Sequence, residues 1–254
     1  MCANRGVKIV LHSLERSRAQ RVIWLMEELD LAYELKTYKR GANGIAPPEM
    51  KQIHPLGKSP VVSFSAPDTP QHTIAESSVI FEYLLDHFQG QKLIPERYVH
   101  GKEGQPGGET DAWMRYRYYM HYTEGSFTPL LVTQILMNII KDGPAPFFLK
   151  PVTGIVPRIV AKEYSQPNFD THFGFLESQL ASSPDQGKYL CGSQLTAVDI
   201  LMSYPLVVAL CLGVLRKEKC PRLCAYLDHL QTLDGYKRSV KKLEEAEGQP
   251  YKPM

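Results

Sequence analysis

The chain has 254 residues, 43% of them apolar and 22% charged, with a net charge of +2. That length allows one or two domains with a sizeable core, and Lys and Arg are scattered, which argues against a nucleic-acid footprint. No run of about 18 apolar residues is present and the N-terminus lacks a basic-then-apolar leader pattern, so no membrane span and no secretion signal are expected.

Residues 7–12 are a short β-rich run, expected as a central strand. Ser17 stands where a helix N-cap is wanted, and Val22, Ile23, Leu25, Met26 and Leu29 then recur at helical spacing. Strand, polar loop and helix start bring one hydroxyl and several free backbone N–H groups together, a corner suited to an anion. Residues 33–38 alternate and read as a second strand, and a crossover of that length implies a parallel pair. Pro47-Pro48-Glu49 opens a short helix, proline suiting its first turn. His54-Pro55-Leu56-Gly57-Lys58-Ser59-Pro60 is a loop, residues 61–64 a third strand, and residues 71–74 a fourth, antiparallel after the turn cluster Ala66-Pro67-Asp68-Thr69-Pro70. Residues 76–87 form a helix capped by Ser77.

Residues 92–108, rich in Gly, Pro and charge, read as a linker. Beyond it the pattern is helical: residues 110–140 with a break at 125–129, then 168–180, a helix opening at Leu195-Thr196-Ala197-Val198-Asp199, and 221–232. Thr196 and Asp199 have capping-box spacing. The proline-rich residues 142–157 are expected to be a loop or a break between helices. The charged tail from residue 240 is expected to fray. Cys2, Cys191, Cys211, Cys220 and Cys224 are odd in number and lack framework spacing, which reads as reduced thiols in a cytoplasmic protein. The histidines lack metal-ligand spacing, so no metal is expected. Trp24 and Trp113 read as packing residues.

A β-α-β-α-β-β-α unit followed by an all-helical region resembles a soluble glutathione transferase, and four motifs carry the resemblance in order. Ser17-Arg18-Ala19-Gln20-Arg21 is similar to the serine-type start of the family's first helix. Pro55-Leu56-Gly57-Lys58-Ser59-Pro60 is similar to its loop ending in a cis-proline, Ala75-Glu76-Ser77-Ser78-Val79-Ile80 to its Glu-Ser motif, and Leu195 to Ile200 to its buried capping box. The wording is most similar to fungal, yeast-type members. The resemblance implies an α/β thioredoxin-like domain over residues 1–91 that binds glutathione, the linker at 92–108, and an all-α domain over 109–254 that binds the electrophile. It also implies a cytoplasmic homodimer whose partners are glutathione, as co-substrate, and small hydrophobic electrophiles.

The implied chemistry is conjugation of the glutathione thiolate to an electrophile, in detoxification or secondary metabolism. A free thiol has a pKa of about 8.5 and only the thiolate attacks. A hydrogen bond to a charged group is worth about 1.5–3 kcal/mol and one pKa unit about 1.4 kcal/mol, so one donated hydroxyl lowers the thiol by about one to two units. The helix start adds about 0.3–1 kcal/mol. Ser17 is the implied donor, with Ser13 the competing hydroxyl; Arg18 beside it either adds positive potential or is a solvated surface residue. The resemblance further implies Ser59 and the cis Pro60 as a backbone rung for glutathione, Glu76 and Ser77 as a clamp on its γ-glutamyl end, and Lys58 or His54 at its glycine carboxylate. Arg115, Tyr118, Tyr119 and Tyr122, at helical spacing, are expected to line the electrophile pocket, or else to be core or dimer interface. The alternatives are a glutathione-dependent peroxidase or disulfide reductase on the same scaffold, and a non-catalytic glutathione or ligand carrier.

Overall fold

The computed structural model describes residues 4–143 and 150–254. The chain begins β1 (Lys8–Leu14), α1 (Ala19–Glu28), β2 (Glu34–Tyr38), α2 (Glu49–Ile53), β3 (Val61–Ser65), β4 (His72–Ala75) and α3 (Ser77–His87). The four strands form one mixed sheet in the order β2-β1-β3-β4, with β1 parallel to β2 and antiparallel to β3, and β3 antiparallel to β4. Leu11, the middle of β1, pairs with Leu35 on one side and Val62 on the other. Ile9 and Leu11 join Val22, Ile23, Leu25 and Met26 of α1 in the core. Those four helix side chains are fully buried, each worth about 1.5–3 kcal/mol relative to exposure. The first helix is thereby locked against the sheet, and its N-terminus is fixed where β1 ends.

The alternate face of β1 carries polar residues. The His12 Nδ1 lies 2.9 Å from the Tyr38 hydroxyl and its Nε2 3.3 Å from Ser63 Oγ, which lies 3.1 Å from Thr73 Oγ1. Burial lowers the His12 pKa, Lys36 adds to that and Glu34 opposes it. The fold therefore favours the neutral imidazole. That contribution is complete above about pH 6.5 and is lost as the pH falls through the lowered folded value, with a slope of at most about 1.4 kcal/mol per unit. Urea unfolding of His12→Asn is expected to lose less of its midpoint on acidification than the parent does. Equal losses in both would count against this network as an acid-sensitive element.

The helical region comprises α4 (Asp111–Tyr122), α5 (Thr128–Asp142), α6 (Lys150–Val160), α7 (Gln166–Ala181), α8 (Ala197–Cys211), α9 (Pro221–Thr232) and α10 (Asp234–Glu247). The predicted break at 125–129 is a π turn, Thr123–Phe127, joining α4 to α5. Both halves of the Thr196–Asp199 capping box are present. Three expectations are corrected. Residues 142–157 are not all loop: α6 begins at Lys150 and runs through Pro157, while 144–149 lie outside the described residues. The tail does not fray from residue 240, because Ser239 and Leu243 are buried and α10 packs on α1. Beyond Gly248, the Tyr251 N–H donates to Glu244 Oε1 at 2.9 Å and the Tyr204 hydroxyl to the Pro253 carbonyl at 2.8 Å. Finally, Ser17 and Ser77 are not the N-caps of their helices; Arg18 and Glu76 hold those positions, neither with a side-chain cap.

One close approach in this region gives a testable consequence. A Cβ on Gly187 would lie 1.9 Å from the Gly192 carbonyl carbon, a backbone atom that cannot swing aside. The same segment delivers the Leu190 N–H to Asp199 at 3.0 Å. Gly187→Ala is expected to destabilise the protein by about 1–3 kcal/mol through overpacking, read as a lower denaturant midpoint. An unchanged midpoint would mean the segment yields freely.

Candidate active site

A cleft of about 870 Å³ opens beside the C-terminal end of β1. One wall carries Ser17, Arg18, Lys58 and Ser59; the other carries Leu131, Val132, Ile135 and Ile139 of α5 with Tyr204, Pro205 and Val208 of α8. Its volume and its pairing of an apolar wall with a few convergent polar groups are those of a small-molecule site.

Ser17 stands just before the first turn of α1, where backbone N–H groups lack intrahelical partners. Its Oγ accepts from the Ala19 N–H at 3.3 Å and lies 3.2 Å from Ser59 Oγ. Ser59 Oγ in turn accepts from the Leu14 N–H at 3.0 Å and donates to the His12 carbonyl at 3.3 Å. A hydroxyl has one proton to give, and that of Ser59 is committed to His12, so Ser17 is the donor within the pair. A stronger acceptor entering the cleft can take that proton's hydrogen bond. Ser13, by contrast, is 1% exposed within β1 and does not line the cleft.

The Ser59–Pro60 bond is cis. Val61 pairs with Ala75, so Pro60 and Glu76 emerge side by side from the ends of β3 and β4. Two non-glycine residues here, Arg16 (φ 51) and Glu76 (φ 69), hold left-handed φ, a conformation costing about 1–3 kcal/mol that persists where the surroundings enforce it, often at functional sites. The Ser77 hydroxyl accepts from Arg21 Nη2 at 3.0 Å, which leaves its own O–H free to donate. Neither Glu76 nor Ser77 lines the cleft itself. His54 does not line it either; its Nδ1 accepts from the Leu56 N–H at 3.4 Å, a turn contact.

Charge in the cleft is one-sided. Arg16, Arg18, Arg40, Lys51 and Lys58 line it, and among the described residues no Asp or Glu does, although the whole chain carries 29 basic and 27 acidic residues. Such a surface attracts anions. Burial pushes the Tyr204 phenol up to about 12, against the pull of Arg21 and Arg18, so it stays protonated at neutral pH.

The tyrosine stripe is elsewhere. Tyr119 and Tyr122 are buried among the helices, the Tyr119 hydroxyl donating to Gln179 Oε1 at 3.3 Å and the Tyr122 hydroxyl lying 2.7 Å from His172 Nδ1. Burial pushes both phenols up. Tyr118 is half exposed, stacked on Tyr122 with ring centroids 5.3 Å apart. Arg115 donates to the carbonyls of Gln179 at 3.0 Å and Ser182 at 2.7 Å, so its charge closes the C-terminal end of α7. None of the four lines the cleft.

Two groups were missed from sequence. Leu131, Ile135 and Ile139 form an i, i+4, i+8 apolar stripe on α5, a signal present one helix beyond the tyrosines. Arg40 had no such signal. Its guanidinium donates to the carbonyls of Glu15 at 3.0 Å, Gly44 at 3.0 Å and Arg16 at 3.3 Å, stapling the loop before Ser17 to the segment after β2. The described residues contain no cluster of His, Cys, Asp or Glu able to hold a metal. None of Cys191, Cys211, Cys220 and Cys224 lines the cleft, and all four are free thiols.

Comparison with known proteins agrees with this geometry. Residues 7–86 match the family model described as the glutathione S-transferase N-terminal domain. The chain is 33% identical over 235 residues to glutathione S-transferase 1 of Saccharomyces cerevisiae, covering 92% of this chain and 94% of that one. It is 32% identical over 202 residues to glutathione S-transferase 3 of Schizosaccharomyces pombe, covering 79% and 74%. Among solved structures it superposes on a glutathione S-transferase from Actinobacillus pleuropneumoniae with a TM-score of 0.66 at 28% identity, covering 92% of each chain. Carrying a mixed four-stranded sheet, a helical C-terminal region and these relatives, the chain belongs to the glutathione S-transferase family.

Proposed function

We propose that the protein conjugates glutathione to small hydrophobic electrophiles, with Ser17 as the donor that stabilises the thiolate. In this reading the glutathione sulfur lies at Ser17, its backbone runs along Ser59–Pro60, its γ-glutamyl end meets Glu76 and Ser77, and its glycine carboxylate meets Lys58. The free O–H of Ser77 suits a carboxylate, and Glu76 suits the ammonium. The electrophile takes the apolar wall of Leu131, Val132, Ile135, Ile139 and Val208 in place of the tyrosine stripe. The thiol proton leaves to solvent, the sulfur lone pair forms the new C–S bond, and the leaving group departs with its bonding pair. The reading also carries a homodimer working in the cytoplasm.

The observation that carries it is the Ser17 hydroxyl, donating to Ser59 at the start of α1 in a cleft that faces cations with an apolar wall. The test is turnover with glutathione on a chlorodinitrobenzene, on cumene hydroperoxide and on a glutathione mixed disulfide. Conjugation of the aromatic halide is the expected result. Activity confined to the peroxide or disulfide would redirect the reading to a peroxidase or reductase. Glutathione binding without turnover on any would make the protein a carrier.

A further inference from the structure

One hydroxyl is not the whole electrostatic setting of Ser17, because charge reaches this corner from the helical region. Arg18 follows Ser17 and lines the cleft. Arg21, one turn further along α1, is fully buried. Both guanidiniums donate to a single carboxylate, Glu124: Arg18 Nη1 to Oε2 and Arg21 Nη2 to Oε1. Glu124 sits on the π turn between α4 and α5, a local widening that often marks functional positions. Arg21 also holds the Leu201 carbonyl at 2.8 Å and Ser77 Oγ at 3.0 Å, and its Nε has no partner.

Two guanidiniums against one carboxylate leave one positive charge. Burial disfavours the Arg21 cation, and Glu124 is the main group that opposes this, with Tyr204 adding a smaller part. The Arg18 side chain is 35% exposed against 1% for Arg21, so the deeply buried partner draws most on the shared anion. The surplus then lies on Arg18, on the cleft side. The other charges facing this corner are Arg16, Arg40, Lys51 and Lys58 along the cleft, with Glu15 paired with Arg16 and accepting from the Arg40 N–H. They are untouched by substitutions within the triad.

We infer that the Arg18–Glu124–Arg21 triad sets the acidity of the bound glutathione thiol, with Arg18 as the counter-charge to the thiolate and Glu124 as the carboxylate that anchors Arg18 beside Ser17 while offsetting part of its charge, so that glutamine there keeps the anchor and removes the offset. The inference rests on the reading that glutathione places its sulfur at Ser17. A purely structural pin between α1 and the π turn would change stability alone. A counter-charge changes the thiol, and with opposite signs for its two ends.

The experiment is titration of bound glutathione by the ultraviolet absorbance of its thiolate, in the parent, Arg18→Gln, Arg18→Lys, Glu124→Gln and Ser17→Ala, with glutathione affinity measured by calorimetry. Arg18→Gln is expected to raise the thiol pKa by about half a unit to one unit, Arg18→Lys to recover most of that, and Glu124→Gln to lower it by a similar amount. An Arg18→Gln pKa equal to the parent's, or a shift of the same sign in Arg18→Gln and Glu124→Gln, would overturn the inference. Glu124→Gln strands a buried guanidinium; if it does not fold, Arg18→Gln, whose side chain is partly exposed, decides alone. The two readings separate cleanly. A shift in Arg18→Gln with none in Ser17→Ala would overturn the serine role and leave the triad standing. A shift in Ser17→Ala with none in Arg18→Gln would do the reverse, and no thiolate band in the parent would overturn both.

Discussion

Replacing Ser17 with alanine is expected to raise the pKa of bound glutathione by about one unit and to move the pH–rate profile to the alkaline side by the same amount. The size follows from an exchange of partners. With the thiol protonated, the Ser17 hydroxyl keeps its bond to Ser59 Oγ at 3.2 Å, a neutral bond worth about 0.5–1.5 kcal/mol. In the proposed role it donates to sulfur instead once the thiolate is present, for about 1.5–3 kcal/mol. Only the difference, about 1 kcal/mol, bears on the pKa, which is somewhat less than the full value of a charged hydrogen bond. Below the thiol pKa, fewer molecules carry the thiolate in the variant. The thiolate that remains is more basic and more nucleophilic, which returns part of the loss. The expected fall in kcat/KM at acidic pH is therefore about threefold to tenfold, closing as the pH rises. A thiol pKa unmoved by the substitution would defeat the donor role. The same change at Ser13 is expected to leave the thiol pKa alone, since that residue lies within the sheet.

Replacing Asp199 with alanine is expected to destabilise the protein by about 4 kcal/mol or more, a larger loss than Gly187→Ala brings. Its carboxylate takes four hydrogen bonds in a fully buried position. Oδ1 accepts from the Leu190 N–H at 3.0 Å and the Tyr226 hydroxyl at 2.7 Å, and Oδ2 from the Thr196 N–H at 2.8 Å and its hydroxyl at 2.6 Å. Alanine leaves four donors stranded in the core, each costing about 1–3 kcal/mol if it finds no water. That is a large part of the ~5–15 kcal/mol that holds a domain together. Asparagine is expected to fall between. Its carbonyl can keep the Leu190 and Tyr226 donors, its amide faces the Thr196 N–H, and the Thr196 hydroxyl can turn to accept. Chemical denaturation should order the three as parent, Asn, Ala. The folded fraction of each variant should retain its thiol pKa, because Asp199 does not line the cleft. Equal stability of Asn and parent would mean that the Thr196 half of the box contributes nothing.

The architecture was readable in the chain because each of its signals is local. Alternation in residues 33–38, the apolar recurrence from Val22 to Leu29, and the Thr196…Asp199 spacing each report a repeat or a cap that neighbours along the chain decide. Pro221–Thr232 was read to the residue, since proline at a first turn leaves little freedom. The misreadings fall where a local rule was overruled from afar. Proline disfavours helix interiors, yet Pro157 lies inside α6. A charged tail resembles a frayed one, yet α10 is held by contacts to α1, including Arg238 and Lys242 on the buried Glu27. Ser17 and Ser77 have the right chemistry for caps, but each lies one position away from the cap of its helix, Arg18 and Glu76 holding those places.

The sequence by itself determined the order of the sheet and first-helix elements, the family, and which hydroxyl to suspect, since residue type and spacing carry all three. Only the tertiary structure decided who donates to whom around Ser17, because that depends on the Ser59 proton being committed to a carbonyl 47 residues away in the chain. It alone moved the apolar wall of the cleft from the tyrosines to α5 and α8. A helical stripe shows that one face is apolar; which body covers that face is set by packing between elements, as with Tyr119 and Tyr122 inside the helical core. And it alone joined Arg18 and Arg21 to Glu124, more than a hundred positions away. A charge pair across that separation leaves no periodic trace in a single chain, so its place beside Ser17 appears only when the helices are assembled.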